Sequence, residues 1–433
     1  MTQAANAVLP AALTPEENRV FAKIAWRIMP LLVLAYIVNF LDRTNVGVAA
    51  LTMNKALGLT ATQFGLGAGL LFASYTVFEV PSNLALYKFG ARRWLARIMI
   101  TWGLISAATV FVTGAQSFYV LRLLLGAAEA GFFPGVAFFL TLWFPAAYRA
   151  RIYAWFLIGV PASSLIGSPI SGMLLGLNGW LGIEGWKWLF VVEGLPAVLL
   201  GVVILYVMAD RPDTASFLSP AEKDLVARRL ASEVKEREKR HFWASLGDRR
   251  VLLLAVIQFT FIVGSYGVGI FLPQIIKAQH FSNTEVGFIT AIPSLIACVA
   301  MILWARVVDR TGKKIINLAL TNLLSFLGFV LAVWMSDNFL IAMVGLTAVI
   351  VGTSTARGIF WTIPPRFLGG VGAAGGLALI NSVGTIGGFV GPTLMGVAKD
   401  MTGSPNAGLL ALSGFLAVST VLTLCLKLFI KDE

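Results

Sequence analysis

Apolar residues along this chain gather into runs of about 20, the length a helix needs to cross the hydrocarbon core of a bilayer. Twelve such runs can be read, at 27–49, 62–86, 95–113, 117–140, 150–175, 188–208, 249–275, 284–306, 314–334, 338–364, 371–397 and 406–429. One long polar stretch, about 209–248, interrupts them and is rich in Lys, Arg and Glu. It reads as a solvated linker, and its Ser219-Pro220-Ala221-Glu222 has the form of a capping box, so one or two surface helices are expected there. Ahead of the first run, Thr14-Pro15-Glu16-Glu17 predicts a capped surface helix with Thr14 as N-cap, Pro15 in its first turn and Glu17 closing the box. A charged start with a short apolar core and a small-residue cleavage site is missing, so the first helix is expected to stay in the mature protein. The pattern predicts an all-α membrane protein of twelve transmembrane helices. Its parts are an N-terminal segment 1–26, a six-helix half 27–208, the linker 209–248 and a second six-helix half 249–433.

The two halves echo each other at a nearly constant offset of 222 positions. Thr60, Gln63 and Gly65 before and within the second run match Ser282, Glu285 and Gly287 at the eighth, giving each a capping box. The loop Gly90-Ala91-Arg92-Arg93 falls on Gly312-Lys313-Lys314, and Gly167-Ser168-Pro169 is echoed by Gly391-Pro392. Six helices plus six, related as parallel repeats about an axis along the membrane normal, is an established transporter architecture.

Composition agrees: 12% of residues are charged, against about 25% in an ordinary soluble domain. Lys and Arg outside the helices fall almost wholly on one side, the opposite loops holding only Lys55, Lys187, Lys277 and Lys399, so both termini are expected in the cytoplasm of an inner-membrane protein. The net charge of +12 is then mostly topology and calls for no nucleic-acid partner. Cys298 and Cys425 lie in apolar runs, and His241 and His280 in loops, which suggests neither disulfide, metal site nor histidine relay. With no nucleophile–base pair or phosphate loop either, the chain does not read as an enzyme.

Ionisable residues inside membrane helices are functional candidates by default, because a charge at the bilayer centre costs at least about 2.5–3.5 kcal/mol. Arg43 lies roughly 20 Å along the first helix and Arg122 roughly 8 Å below the outer surface on the fourth, so the two can share a depth. Their planar forks match a carboxylate and could clamp a small anion from two sides. Glu129 is two turns from Arg122 on nearly the same face, about 10 Å deeper. Burial favours the protonated form of a carboxyl and a neighbouring arginine the ionised one, so Glu129 fits a proton site that loads when substrate occupies the arginine. Asp42 points about 100° away from Arg43 and fits either a second proton site or a structural partner. Glu79 and Glu193 read as structural residues near helix ends, and Arg357 as a residue that snorkels or pairs. Tyr75, Tyr266 and Asn381 sit mid-helix, as interhelical hydrogen-bonding groups or substrate contacts.

These residues carry a resemblance. Asn39-Phe40-Leu41-Asp42-Arg43-Thr44-Asn45 resembles the D-R-x-N signature of the anion:cation symporter family within the major facilitator superfamily. So do Phe78 to Asn83 with Gly90 to Trp94, Arg122 to Gly126 with Glu129 to Gly135, and Leu379 to Ser382. Phe271 to Gln274 and Phe360 to Pro365 look most like the tartrate, phthalate and hydroxyphenylacetate permeases. The resemblance implies the major facilitator fold, alternating access, proton symport with no other cofactor, and import of a small organic anion by a monomeric carrier. It implies Asp42 and Glu129 as protonation sites, Arg43 and Arg122 as anion-binding arginines, and Tyr75, Asn381 and Trp361 as substrate contacts. Gly90, Arg92 and Arg93, with Asp309, Gly312, Lys313 and Lys314, are the loops expected to control opening. Phe40 stands where sugar-acid members often carry Tyr, and Tyr87 where the loop motif usually has Asp, which suggests a weaker latch in the first half. An exporter of lipophilic cations on the same fold is the rival reading, disfavoured by two arginines. A transport-inactive sensor is disfavoured by the intact charges.

Overall fold

The computed structural model describes residues 13–235, 247–368 and 370–430. They form α1 (Pro15–Leu57), α2 (Ala61–Phe89), α3 (Ala91–Ala107), α4 (Ala115–Glu129), α5 (Phe132–Trp143), α6 (Ala146–Leu175), α7 (Gly185–Val207), α8 (Pro220–Lys235), α9 (Arg249–Lys277), α10 (Asn283–Thr311), α11 (Lys314–Trp334), α12 (Phe339–Phe360), α13 (Gly370–Thr402) and α14 (Pro405–Cys425). Twelve spans are long and apolar enough to cross a membrane, α4 and α5 together making the fourth. Large apolar side chains such as Val77, Leu84, Leu199 and Val344 are exposed along them, as a lipid-facing surface requires.

The capping boxes form at Thr14, Thr60 and Ser282, and Ser219 and Glu222 close the one at α8. The repeat is visible in the packing: α2 lies along α13 of the other half, and α10 along α6, the same contact with the halves exchanged. Residues 236–246, with His241, lie outside the described residues; His280 is exposed in the loop after α9.

Two expectations change. The N-terminal capped helix is not separate from the first span: α1 runs unbroken for 43 residues, across residue 26 and through Pro30. Val20, Phe21 and Ile24 are buried on its early turns, with Phe21 against the rings of Phe144 and Tyr148. That packing, with the Lys23–Glu222 ion pair to α8, holds the early turns to the bundle in line with the span. The fourth run is two helices rather than one, broken immediately after Glu129.

Candidate functional site

Residues four apart on a helix share a face, and adjacent ones diverge by about 100°. On α1 this sends Asn39 and Arg43 one way and Asp42 another. Arg43 Nε donates to Glu129 Oε2 at 2.8 Å, and Asn39 Nδ2 donates to the same oxygen at 3.1 Å. Glu129 is 0% exposed and Arg43 7%, so this is a buried ion pair, whose attraction has to offset the desolvation of both groups. The match is incomplete: Glu129 Oε1 and Arg43 Nη2 are buried without hydrogen-bond partners. Aromatic faces complete the surroundings, with the guanidinium carbon 4.8 Å from the Tyr75 ring, 5.4 Å from Phe40 and 5.9 Å from Phe72.

The helix break puts Glu129 in this position. Ala130 is non-helical, Gly131 takes a left-handed conformation (φ 85°), and α5 restarts at Phe132. Glycine accepts positive φ without a Cβ penalty, and Pro134 falls in the first turn of α5, where its missing N–H leaves no gap. The C-terminus of α4 carries partial negative charge beside the Glu129 carboxylate, which reinforces the preference for a cation there.

Asp42 is 1% exposed and accepts from Trp102 Nε1 (2.6 Å), Ser106 Oγ (2.8 Å) and Asn45 Nδ2 (3.3 Å), tying α1 to α3. Glu193 accepts from Ser171 Oγ in a comparable buried bond between α6 and α7.

Beside the Arg43–Glu129 pair lies a cavity of about 50 Å³ lined by both halves. Of the residues expected to touch substrate, it gathers Arg43, Tyr75, Tyr266, Trp361 and Asn381. A second cavity of about 80 Å³ shares Phe40, Tyr266 and Arg357 with it. Arg122 lines neither. It is 2% exposed, and its three guanidinium nitrogens have no hydrogen-bond partner. The clamp expected between Arg43 and Arg122 is therefore not assembled in this conformation: α4 is pressed on α2, with Gly126 against the Leu71 carbonyl and the Ser74 hydroxyl.

Arg357, expected to snorkel or pair, lines both cavities. Its Nη2 donates to Ser265 Oγ at 3.4 Å, its Nε has no partner, and its guanidinium carbon lies 5.8 Å from Phe40 and 5.7 Å from Tyr266. Glu79, expected near an interface, is 3% exposed and accepts from Asn381 Nδ2 and from Ser382 Oγ (3.2 Å) of the other half. The reason is length: α2 has 29 residues, so Glu79 lies about 15 Å from its inner end. Gln258, which sequence reasoning missed, lines the first cavity with Oε1 unpaired; a lone amide inside an apolar run was the available signal.

A family model described as Major Facilitator Superfamily matches residues 32–392. The chain belongs to that superfamily. A relative from Agrobacterium vitis that carries the name of a tartrate transporter is 47% identical over 95% of both chains. Another, from Acinetobacter baumannii, named a quinolone resistance transporter, is 40% identical over 94% of both. The fold matches that of the inward open xylose transporter XylE from E. coli, with TM-score 0.75, 13% identity, and coverage of 94% of this chain and 97% of that one. This facilitator is a multi-pass membrane transporter of small organic substrates and not an enzyme.

The loops expected to control opening are placed as follows in this facilitator. Gly90 (φ 88°) turns α2 into α3 and Gly312 (φ 66°) turns α10 into α11. The Arg92 backbone N–H donates to Asp210 Oδ1 at 2.8 Å, and its side chain stands 3.8 Å from Oδ2. Asp210, after α7, thus supplies an acid that Tyr87 cannot, and it does so from the same half. Arg93, Asp309 and Lys313 are exposed and Lys314 is half-buried.

Proposed function

We propose that this chain imports a small organic anion, a mono- or dicarboxylate, by proton symport with alternating access. It does so as a monomer in a bacterial inner membrane with both termini in the cytoplasm, and uses no cofactor beyond the proton as coupling ion. The observation that carries the reading is the buried Arg43–Glu129 pair, whose arginine lines a cavity shared by the halves while its carboxylate lies sealed behind it. It joins a cation suited to a carboxylate with a carboxyl suited to a proton. An incoming carboxylate engages the unmatched Nη2 of Arg43 and then competes for Nε, because a bidentate fork is the stronger arrangement. Once separated from Arg43, Glu129 is a buried carboxylate without its counter-charge, and in this cycle it takes up the coupling proton there. Substrate and proton load together, and after both leave, the pair re-forms and the site can return empty.

In this reading Tyr75, Tyr266, Trp361 and Asn381 shape the site, and Arg122 stands near enough in sequence and face to receive Glu129 in another state. Asp42 is the alternative proton carrier. Residues 27–208 and 249–433 rock as two bodies, and the loops at Gly90–Arg93 and Asp309–Lys314 latch the cytoplasmic side. The tartrate name of the Agrobacterium relative supports an organic acid.

The quinolone name of the Acinetobacter relative favours a second reading, export on the same fold. Two guanidiniums at the cavity speak against a cationic drug. Proteoliposomes with an imposed pH gradient separate the readings. Wild type is expected to accumulate labelled tartrate, while Glu129→Gln, a mimic of the protonated form, exchanges it in counterflow without accumulating it. Gradient-driven accumulation by Glu129→Gln would remove Glu129 as the proton site, and drug extrusion without acid uptake by wild type would favour export.

A further inference from the structure

Arg357 has no part in the cycle above, although it is the only charged group contributed to the first cavity by the second half among the described residues. Its neighbours on that wall, including Gln258, Tyr266, Trp361 and Asn381, are uncharged. Among the described residues no carboxylate lies within ion-pair distance of it. The nearby acids are engaged elsewhere: Glu129 by Arg43 and Asn39, and Glu79 by Asn381 and Ser382. A guanidinium inside a membrane bundle with one hydroxyl contact and an unmatched Nε is poorly satisfied, and an anion in the cavity would correct that.

Arg43 comes from α1 and Arg357 from α12, and both stand over the Phe40 ring, at 5.4 and 5.8 Å. The two guanidinium carbons are therefore separated by no more than the sum of those distances. Phe40, Tyr266 and Arg357 line both cavities, of about 50 and 80 Å³.

We infer that Arg357 is a second carboxylate subsite, and that the substrate is a short dicarboxylate with one end on Arg43 and the other on Arg357. This rests on the proposed function and narrows it. Phe40 is the apolar floor between the two ends, a position where a hydroxyl would have no carboxylate to serve. A monocarboxylate satisfies one guanidinium only. A dicarboxylate joins α1 to α12, and so binds best to the state in which the halves meet around it, which is what shifts the conformational equilibrium.

The test is binding to purified protein, read as a ligand-dependent rise in Tm. The probes are matched pairs of acids with two carboxylates or one: tartrate and glycerate, succinate and butyrate, phthalate and benzoate. Wild type is expected to prefer the diacid of at least one pair by tenfold or more. Arg357→Gln should bring that diacid down to the level of its monoacid partner and leave the monoacid unchanged. Arg357→Lys should fall between, since a point charge keeps the attraction and loses the fork. Ligand-free Tm reports folding, and if Arg357→Gln does not fold, the loss of preference in Arg357→Lys decides. An undiminished preference in the variants, or equal weakening of both acids, overturns the second subsite. Wild type that binds diacid and monoacid equally overturns this inference alone. Wild type that binds none of the acids overturns the proposed function with it.

Discussion

Asp42 and Arg43 are neighbours in sequence with opposite allegiances. Arg43 faces the cavity and Glu129, whereas Asp42 receives three donors from α1 and α3 and lines neither cavity. A carboxylate that holds two helices together through an indole and a hydroxyl has a structural task whatever else it does. Hydrogen bonds to a charged group contribute about 1.5–3 kcal/mol each. In Asp42→Asn one acceptor oxygen becomes a donor, which leaves Trp102 Nε1 unmatched in one orientation and Asn45 Nδ2 in the other, the Ser106 hydroxyl being able to turn and accept, so Tm should fall measurably. If Glu129 is the coupling group, pH-driven accumulation by that variant should persist at a reduced rate. Retained counterflow with accumulation abolished would instead make Asp42 the proton carrier.

At the scale of elements, the break between α4 and α5 positions the buried acid, and Gly131 is its hinge. A Cβ there would carry φ 85° and strike the Ser82 side chain. The left-handed conformation alone costs a non-glycine residue about 1–2 kcal/mol. Gly131→Ala should therefore lower Tm and weaken acid binding together, because relieving the clash turns the end of α4 and carries Glu129 with it. Unchanged binding at a lower Tm would mean that the break is only architectural. Hydropathy patterning did not expose this break, since the run 117–140 averages as apolar whether it forms one helix or two; the local signal was the Gly131 and Pro134 pair. The twelve spans, their capping boxes and the repeat were legible because span length and cap chemistry are local properties. The occupants of the cavity were only partly so. Depth along a helix can be counted from sequence, and Arg43, Tyr75 and Asn381 line the first cavity. Direction about the helix axis is set by packing, which leaves Arg122 buried outside both cavities and brings Arg357 to the lining of both.

For the whole molecule, the repeat becomes a matched pair of seams at the end remote from α1's start. On one side Gly65 of α2 packs on the Pro392 carbonyl of α13; on the other Gly287 of α10 packs on the Ser168 carbonyl of α6. The first seam is reinforced where Ala61 and Thr62 N–H groups, free at the start of α2, donate to Asp400 at 3.1 and 2.7 Å. At both glycines an added Cβ would meet backbone carbonyl rather than a side chain that could swing aside, so the halves themselves would have to part. Overpacking of this kind costs about 1–3 kcal/mol, which corresponds to roughly 5–150-fold in a two-state equilibrium. Gly65→Ala and Gly287→Ala should therefore each populate a form open at that end, with similar effect because the contacts are related by the repeat. Gly269 offers a reporter: it lines the larger cavity, and a Cβ there meets nothing within 4 Å. With Cys298 and Cys425 replaced by Ser, Gly269→Cys should react with an external membrane-impermeant thiol reagent several-fold faster in either seam variant than in the parent. Equal labelling rates, in variants that keep their Tm, would show that the seams pack the halves without gating them.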